Sequence, residues 1–176
     1  MVKKKSQVFV GGPALAKQAF GQKVTKEELG GYKLHTRISG VVDNEAESEE
    51  DAFDQVSRFL DYMPSNVWEM PKRKYEEKDD PGRREEELLS IIPRDPKKCY
   101  DVRRIIELIF DRHSVFEIAR HFGSAQITAL ARLNGYPVGV IANDSKYWAG
   151  SFGWDVSEKF QRFVDMCDTF HLPIVN

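Results

Sequence analysis

The stretch "ITALARLNGYPVGVIA" (residues 127–142) consists of two apolar runs on either side of Asn134-Gly135. An Asn-Gly pair between apolar runs is the strongest short-range signal for a β-hairpin, because both residues tolerate the positive φ angles of a two-residue turn. Strands that are nearly continuously apolar are typical of a sheet covered on both faces. We therefore predict a hairpin of strands 127–133 and 136–142 inside an α/β layered domain.

The segments on both sides of the hairpin have helical and strand patterns. Asp101 is the expected N-cap of a helix. The apolar residues expected on the buried side of this helix are Val102, Ile105, Ile106 and Ile109. After the hairpin, Asp155 and Glu158 match a capping box at the start of a second helix. The apolar face expected for that helix holds Val156, Phe160, Phe163, Val164 and Cys167. Strands are predicted at 114–118 and 172–175.

The N-terminal part has shorter elements. Residues 7–10 are predicted to form a short strand, and a helix is expected over 13–20 because proline suits the first helical position. Thr25 and Glu28 form a capping-box pattern for a very short helix. Apolar residues recur at helical spacing over 48–63, which predicts a longer helix that needs a surface to lie on.

Residues 64–98 differ in composition from the rest of the chain. They hold nine basic residues, nine acidic residues and five of the eight prolines. Because a stretch this polar cannot form a core, we interpret it as a linker between two units, 1–63 and 99–176. Its apolar segment "LLSII" (88–92) is expected to dock on a neighbouring surface.

The overall composition excludes several classes of protein. The formal net charge of -2 argues against nucleic-acid binding, which needs a basic excess. The two cysteines are far apart and the four histidines lack metal-ligand spacing, so neither a disulfide framework nor a metal site is predicted. No apolar run reaches membrane-spanning length. These features predict a soluble protein of a reducing compartment.

The aromatic loop (residues 143–154) combines bulky rings with small residues. Its aromatic residues are Tyr147, Trp148, Phe152 and Trp154. Either the rings fill the core and the glycines make turns, or the loop binds a ligand at the carboxyl end of a strand, as loops of α/β proteins commonly do. The residues alone leave both interpretations open.

Two N-terminal residues are also candidates for a site. Gly12 lies at the expected start of a helix, where backbone N–H groups can bind an anion, but an ordinary turn and cap is favoured because no Lys-Ser/Thr phosphate signature follows. His35 is either a base or a hydrogen-bonded structural residue. Residue types alone identify no reaction.

Several stretches, read in order, resemble the carboxyltransferase (beta) subunit of biotin-dependent acyl-CoA carboxylases of the propionyl-CoA carboxylase type. The resemblance lies in "VFVGGPALAK", "GQKVTKEELGGYKLHTRISGVVD", "YDVRRIIELIFD", "ARLNGYPVGVIAND" and "AGSFGWDVSEKFQRFVDMCDTFHLPIVN". It covers nearly the whole chain and preserves the order and spacing of the motifs.

This resemblance implies a crotonase-like (ClpP/crotonase) ββα superhelix, with the end of one such domain before the linker and the start of another after it. It also implies transfer of a carboxyl group from carboxybiotin to the α-carbon of an acyl-CoA, without a metal. The implied partners are a biotin carboxyl carrier protein, a biotin carboxylase subunit and further copies in a homo-oligomer, a hexamer in the family. The implied location is the cytoplasm, or the mitochondrial matrix in a eukaryote.

The family's reaction relies on backbone N–H groups that stabilise oxyanions, and the loops that carry them are expected before residue 1 and after residue 176. No catalytic residue is therefore predicted in this chain, and the 176 residues alone are expected to be inactive. The residues that the resemblance places in an acyl-CoA and biotin pocket are Asn143, Trp148, Ala149, Gly150 and Phe152. Gly12 and His35 are candidates for the CoA side.

Two other functions remain open. The first is the carboxyltransferase subunit of a sodium-pumping acyl-CoA decarboxylase, which runs the reaction in reverse with a membrane partner. The second is a noncatalytic crotonase-like assembly module that binds proteins but no acyl-CoA.

Overall fold

The structure is a computed structural model that describes residues 1–74, 79–80 and 82–176. Its α-helices are α1 (Pro13–Phe20), α2 (Lys26–Gly30), α3 (Glu49–Tyr62), α4 (Val102–Ile109) and α5 (Trp154–Thr169). Its strands are β1 (Phe116–Ile118), β2 (Gln126–Leu133), β3 (Tyr136–Asn143) and β4 (Ile174–Val175). Shorter turns are π-helical at Leu34–Ile38 and 3₁₀-helical at Glu86–Leu89 and Trp148–Gly150. No helix in the described part of the chain has the length and apolarity needed to cross a bilayer.

The strands form one sheet in the order β1-β2-β3-β4. β1, β2 and β3 are antiparallel, and β4 pairs in parallel with β3. Leu133 pairs with Tyr136 across a turn in which Asn134 and Gly135 have φ of 51° and 78°. Positive φ at both central residues is what a type I′ turn requires. The predicted hairpin is confirmed, and each strand gains one residue at the end away from the turn.

Helices cover the two faces of this sheet. One face packs against α4 in a cluster of Val102, Ile106, Phe110, Ile127, Ala129, Ala131, Val138 and Val140. The other face packs against α3 and α5 in a cluster of Tyr62, Phe116, Leu130, Ile141, Phe163, Cys167 and Leu172. A Cβ added at Gly139 would lie 2.6 Å from Cys167 Sγ, so glycine lets α5 approach the sheet. The prediction of a sheet covered on both faces is confirmed.

Most predicted helix ends are confirmed by their caps. The Thr25 hydroxyl and Glu28 carboxylate form a reciprocal capping box on α2. The Asp101 carboxylate accepts a hydrogen bond from Arg104 N at 3.1 Å and caps α4. Gly21, with φ of 70°, ends α1 in the left-handed conformation that glycine adopts without strain.

Three details of the helix predictions are wrong. The N-cap of α5 is Gly153, which has no side chain, so Asp155 lies in the first turn and forms no capping box. On α4, Leu108 is buried and Ile109 is half-exposed, because the chain turns towards Phe110 as the helix ends. On α5, Phe160 is only partly covered and its ring meets Phe152 edge-on.

Two apolar segments outside the second unit are less covered than predicted. Residues 7–10 form no strand, because only Gln7 makes a bridge, to Gly31, and Val10 is fully exposed. α3 lies on the sheet through Tyr62, with Phe59 partly buried at its side. The outward side chains of α3 are more than half exposed: Phe53, Val56 and Leu60.

The predicted linker is mostly irregular but parts of it are attached to the sheet. Arg73 donates hydrogen bonds to Asn134 O and Oδ1, both at 2.8 Å, and Lys74 N donates to Gly135 O at 3.0 Å. In the 88–92 segment Leu89 and Ile92 are exposed and Leu88 and Ile91 are half-buried, and its docking on a neighbouring surface stays a prediction. Residues 75–78 and 81 of the linker lie outside the described residues. The division at 64–98 stays a prediction.

Residues from both sides of the predicted linker pack together directly. The Tyr62 hydroxyl donates to Ser114 O, and Arg162 donates to Gly40 O and pairs with Asp43. A Cβ at Gly40 would overlap the ring of Phe122. These contacts bring the N-terminal segment against the sheet and α5, beside the start of the aromatic loop.

Candidate functional site

The aromatic loop leaves the carboxyl end of β3 and enters α5 through a tight turn. Trp148, Ala149 and Gly150 have φ of 48°, 52° and 73°, and such angles are strained for the two residues that carry a side chain. Gly150 N donates to Tyr147 O at 2.8 Å and Ser151 N donates to Trp148 O at 3.0 Å. The surrounding hydrogen bonds therefore hold a backbone shape that a free peptide would avoid.

The loop begins at a buried ionic anchor. Asp144 is 1% exposed and pairs with the guanidinium of Arg103, which also donates to Glu117 at 2.6 Å. The hydrogen bonds to Glu117 and Asp144 raise the pKa of Arg103 above its ordinary value. Both carboxylates pair with this one guanidinium, and Arg120 Nη1 lies 3.8 Å from Glu117 Oε2 as a second cation. The buried ion cluster therefore fixes where the loop starts.

A second ion pair ties the same loop to α4. Lys146 Nζ lies 2.7 Å from Asp101 Oδ2, and this hydrogen bond lowers the pKa of the Asp101 carboxyl. Lys146 N also donates to Asp144 Oδ1 at 3.0 Å. Sequence reasoning missed Arg103 and Asp144 as parts of the site. The available signal was an aspartate directly after a buried apolar strand.

The rings of the loop point outward. Trp148 is 85% exposed and Trp154 is 69% exposed, so neither is a core residue in the described structure. Trp154 meets the buried ring of Phe122 edge-on, with centroids 5.8 Å apart. The interpretation of these tryptophans as core residues is wrong, because the strained turn carries Trp148 away from the sheet. What remains is an exposed aromatic surface above the sheet end.

The structure brings together the predicted residues of the aromatic loop. Asn143 Nδ2 donates to Gly150 O at 3.4 Å, and a Cβ at Gly150 would lie 3.2 Å from Asn143 Cβ. Trp148 and Ala149 belong to the same turn, while Phe152 contacts Phe160 on α5 with centroids 5.9 Å apart. Their contact with a ligand stays a prediction.

Gly12 and His35 lie near each other around Val8 and Phe9. Gly12 is the N-cap of α1, and a Cβ there would lie 3.5 Å from the Phe9 ring. His35 Nε2 lies 2.7 Å from Val8 O, which only accepts, so Nε2 carries the proton. Nδ1 then accepts from Ser39 Oγ at 3.0 Å. Both nitrogens are engaged, and within the described residues no hydrogen bond links Gly12 or His35 to the aromatic loop.

Lys159 is a buried residue that sequence reasoning also missed. It is 2% exposed, and its ammonium donates to the carbonyl oxygens of Gln126 at 2.6 Å and Ala119 at 2.9 Å, with Gly123 O at 3.5 Å. Burial lowers its pKa to about 8. Its spacing from Val156 and Phe163 places it on the buried stripe of α5, and that spacing is visible in the sequence.

The loop presents groups that can contact a ligand. The loop offers exposed aromatic rings and backbone amides, and its charged side chains, Asp144 and Lys146, pair with Arg103 and Asp101 outside the loop. Among the described residues, no group of three or more His, Cys, Asp or Glu side chains could hold a metal ion. Aromatic surfaces beside small residues suit a large ligand with apolar and amide groups.

Comparison with known proteins gives consistent matches. The carboxyl transferase domain model matches residues 1–176. The alpha subunit of methylmalonyl-CoA decarboxylase from Veillonella parvula is 39% identical over 176 residues, which are 100% of this chain and 34% of that protein. The carboxyltransferase subunit of propionyl-CoA carboxylase from Haloferax mediterranei is 38% identical, with the same coverage of both chains.

Two solved structures are also similar to nearly the whole of this chain. Transcarboxylase 12S with methylmalonyl-CoA and methylmalonic acid bound has a TM-score of 0.91 and 34% identity over 98% of this chain and 33% of that chain. A single-chain, multi-domain long-chain acyl-CoA carboxylase has a TM-score of 0.79 and 27% identity, covering 98% of this chain and 17% of that chain.

These matches confirm the crotonase-like α/β fold and the resemblance of the motifs. The chain spans about a third of the length of the curated relatives it matches. It belongs to the carboxyl transferase domain family.

Proposed function

We propose that the chain is a segment of the carboxyltransferase subunit of a biotin-dependent acyl-CoA carboxylase. The observation that carries this proposal is the match of nearly the whole chain to transcarboxylase 12S, a structure that holds methylmalonyl-CoA. The reaction moves a carboxyl group from carboxybiotin, a substrate attached to a carrier protein, to the α-carbon of an acyl-CoA.

The role we assign to this segment is binding and orientation. The exposed rings of Trp148 and Phe152 would cover apolar parts of the substrates and exclude water, while Asn143, Ala149 and Gly150 shape the turn beneath them. Gly12 would offer backbone N–H groups at the start of α1 to the CoA side. His35 would act on that side only by holding Val8 in place.

Stabilisation of the oxyanions is assigned to other parts of a longer chain. The relatives are about three times as long as this chain, which leaves room for the backbone donors that the reaction needs. One such donor is worth about 10²–10³ in rate.

The test is an assay of the full-length protein that contains this segment. Purified protein is mixed with propionyl-CoA and carboxybiotin, and formation of methylmalonyl-CoA is followed. Carboxylation by the full-length protein, and none by the isolated 176 residues, is the expected result. A full-length protein that binds no acyl-CoA in a direct binding measurement would overturn the proposal in favour of a noncatalytic assembly module.

The carboxyltransferase subunit of an acyl-CoA decarboxylase is a second candidate. It is favoured by the Veillonella parvula relative, whose 39% identity to this chain is matched by carboxylase subunits at 38% and 39%. Dependence of methylmalonyl-CoA decarboxylation on sodium and on a membrane subunit, in membranes from the source cells, would select this candidate. Activity in the membrane-free fraction with a biotin carboxylase would select the carboxylase.

The assembly we propose follows from the same likeness. Transcarboxylase 12S forms a hexamer, and we infer a homo-oligomer for the full-length protein. A biotin carboxyl carrier protein and a biotin carboxylase subunit are the proposed partners. The proposed location is the cytoplasm, or the mitochondrial matrix in a eukaryotic cell.

A further inference from the structure

We propose that Lys159 is a positioning residue that fixes both ends of the aromatic loop through the β1–β2 connection (residues 119–125). The proposal rests on the proposed function, in which the aromatic loop lines the substrate pocket. It assigns Lys159 no contact with a substrate.

The buried ammonium of Lys159 is bound by backbone carbonyl oxygens. An ammonium group has three N–H donors and no acceptor, and a buried one is unfavourable unless those donors are bonded. Lys159 meets this need with backbone carbonyls, at 2.6 Å from Gln126 O, 2.9 Å from Ala119 O and 3.5 Å from Gly123 O. These carbonyls belong to the connection and to the first residue of β2, so the lysine holds a loop rather than a carboxylate.

The β1–β2 connection contains two residues in the left-handed conformation. Ala119 and Gly123 both have φ of 53°, and a left-handed alanine persists only where its surroundings hold it. The Lys159 ammonium lies against the carbonyl oxygens of both residues. Ala119 N is held from the other side by Asn44 Oδ1 at 3.0 Å. Loss of the ammonium would therefore release the connection at its two left-handed residues.

The β1–β2 connection contacts the aromatic loop at both of its ends. Ala125 O accepts a hydrogen bond from Asp144 N at 2.8 Å, near the start of the loop. Phe122 meets the Trp154 ring edge-on at the end of the loop. A Cβ at Gly123 would lie 3.0 Å from Asp155 O, so the connection also packs closely on the first turn of α5. Movement of this connection would displace both ends of the loop together.

The test uses Lys159→Met in the full-length protein, with Lys26→Met at an exposed position of α2 as the matched control. Hydrogen exchange is measured for peptides covering 119–125, 143–154 and the part of the hairpin beyond the Lys159 contact, 128–142. For Lys159→Met we expect about tenfold faster exchange in the first two, the effect of losing one charged hydrogen bond, and no change in the hairpin. The KM for acyl-CoA should rise about tenfold while kcat is unchanged, because the loop binds and does not react.

Two results would overturn the proposal. One is faster exchange over the hairpin as well, which indicates a purely structural lysine. The other is faster exchange in 119–125 alone. Lys159→Gln keeps a neutral N–H donor and is measured in the same way if the methionine variant does not fold. The exchange data do not depend on activity, so a wild-type protein without carboxyl transfer would refute the proposed function and still leave the role of Lys159 decided.

Discussion

The hairpin and the aromatic loop that follows it are both rich in large apolar side chains, yet their exposure is opposite. Leu130 in β2 is fully buried, whereas Trp148 in the loop is 85% exposed. The hairpin has a helix against each face of its sheet, and the loop has a strained turn that lifts its rings off the same sheet. Apolar composition therefore predicts burial only where the fold supplies a partner surface, and the exposed rings beyond that surface are those to which we assign substrate binding in the proposed function.

The largest effect on stability is expected from a substitution in the buried hairpin. Leu130→Ala should lower the free energy of unfolding by about 2–5 kcal/mol, because it removes a buried side chain and leaves a cavity between the sheet and α5. Leu133→Ala, at a half-exposed position of the same strand, is the control and should cost much less. Urea denaturation measures both. Equal losses would show that the burial of Leu130 is not what makes it important for stability.

Lys159 is the charged counterpart of the buried apolar residues, because it lies buried beside the hairpin. Its folded-state pKa of about 8 lies below the ordinary 10.5, so folding disfavours its charged form. Between these pH values the folded protein has released a proton that the unfolded chain still binds, and stability therefore rises with pH. The gap between the two pKa values corresponds to roughly 3 kcal/mol.

The measurement is the free energy of unfolding of wild type and Lys159→Met from pH 8 to 10.5. The difference between the two should grow in favour of the wild type across this window. The charged groups that act on Lys159 are Glu117, Arg103, Asp43 and Asp155. Two parallel pH profiles would show that Lys159 keeps its ordinary pKa despite its burial.

The smallest effect on stability is expected from a substitution in the exposed aromatic loop. Trp148→Ala should change the free energy of unfolding by less than about 0.5 kcal/mol, because the ring is exposed. It should still change the KM for acyl-CoA or the preference for acyl-chain length if the loop lines the pocket. Trp68→Ala, at an equally exposed tryptophan outside the loop, is the control and should change neither. Identical kinetics for both variants would leave the loop without a role in binding.

Local patterns predicted much of the fold. Asn134-Gly135 and its flanking apolar runs are sufficient for the hairpin, since turn geometry and strand pattern act over a few residues. The caps at Thr25 and Asp101 are likewise short-range, and the structure has both. The Asp155–Glu158 pattern failed because Gly153 already turns the chain into α5 two residues earlier.

The candidate site was harder to predict than the fold. Motif order identified the aromatic loop and the family, but the exposure of Trp148 depends on a left-handed turn that the residue pattern does not mark. Arg103 and Glu117 are brought to Asp144 from a helix and another strand. The partners of Lys159 are backbone carbonyls, which every residue type has, so no residue pattern marks them.

The sequence by itself determined the hairpin, the caps of α2 and α4, most of each apolar face and the family, because each depends on residue types at short spacings. Only the tertiary structure decided which apolar residues lack cover, and which buried charges are paired. Both outcomes depend on segments far apart in the chain, such as Gly40 against Phe122 and Lys159 against Gln126. Burial is a property of the surface that arrives opposite a residue, and the residue's own neighbours in sequence do not specify it.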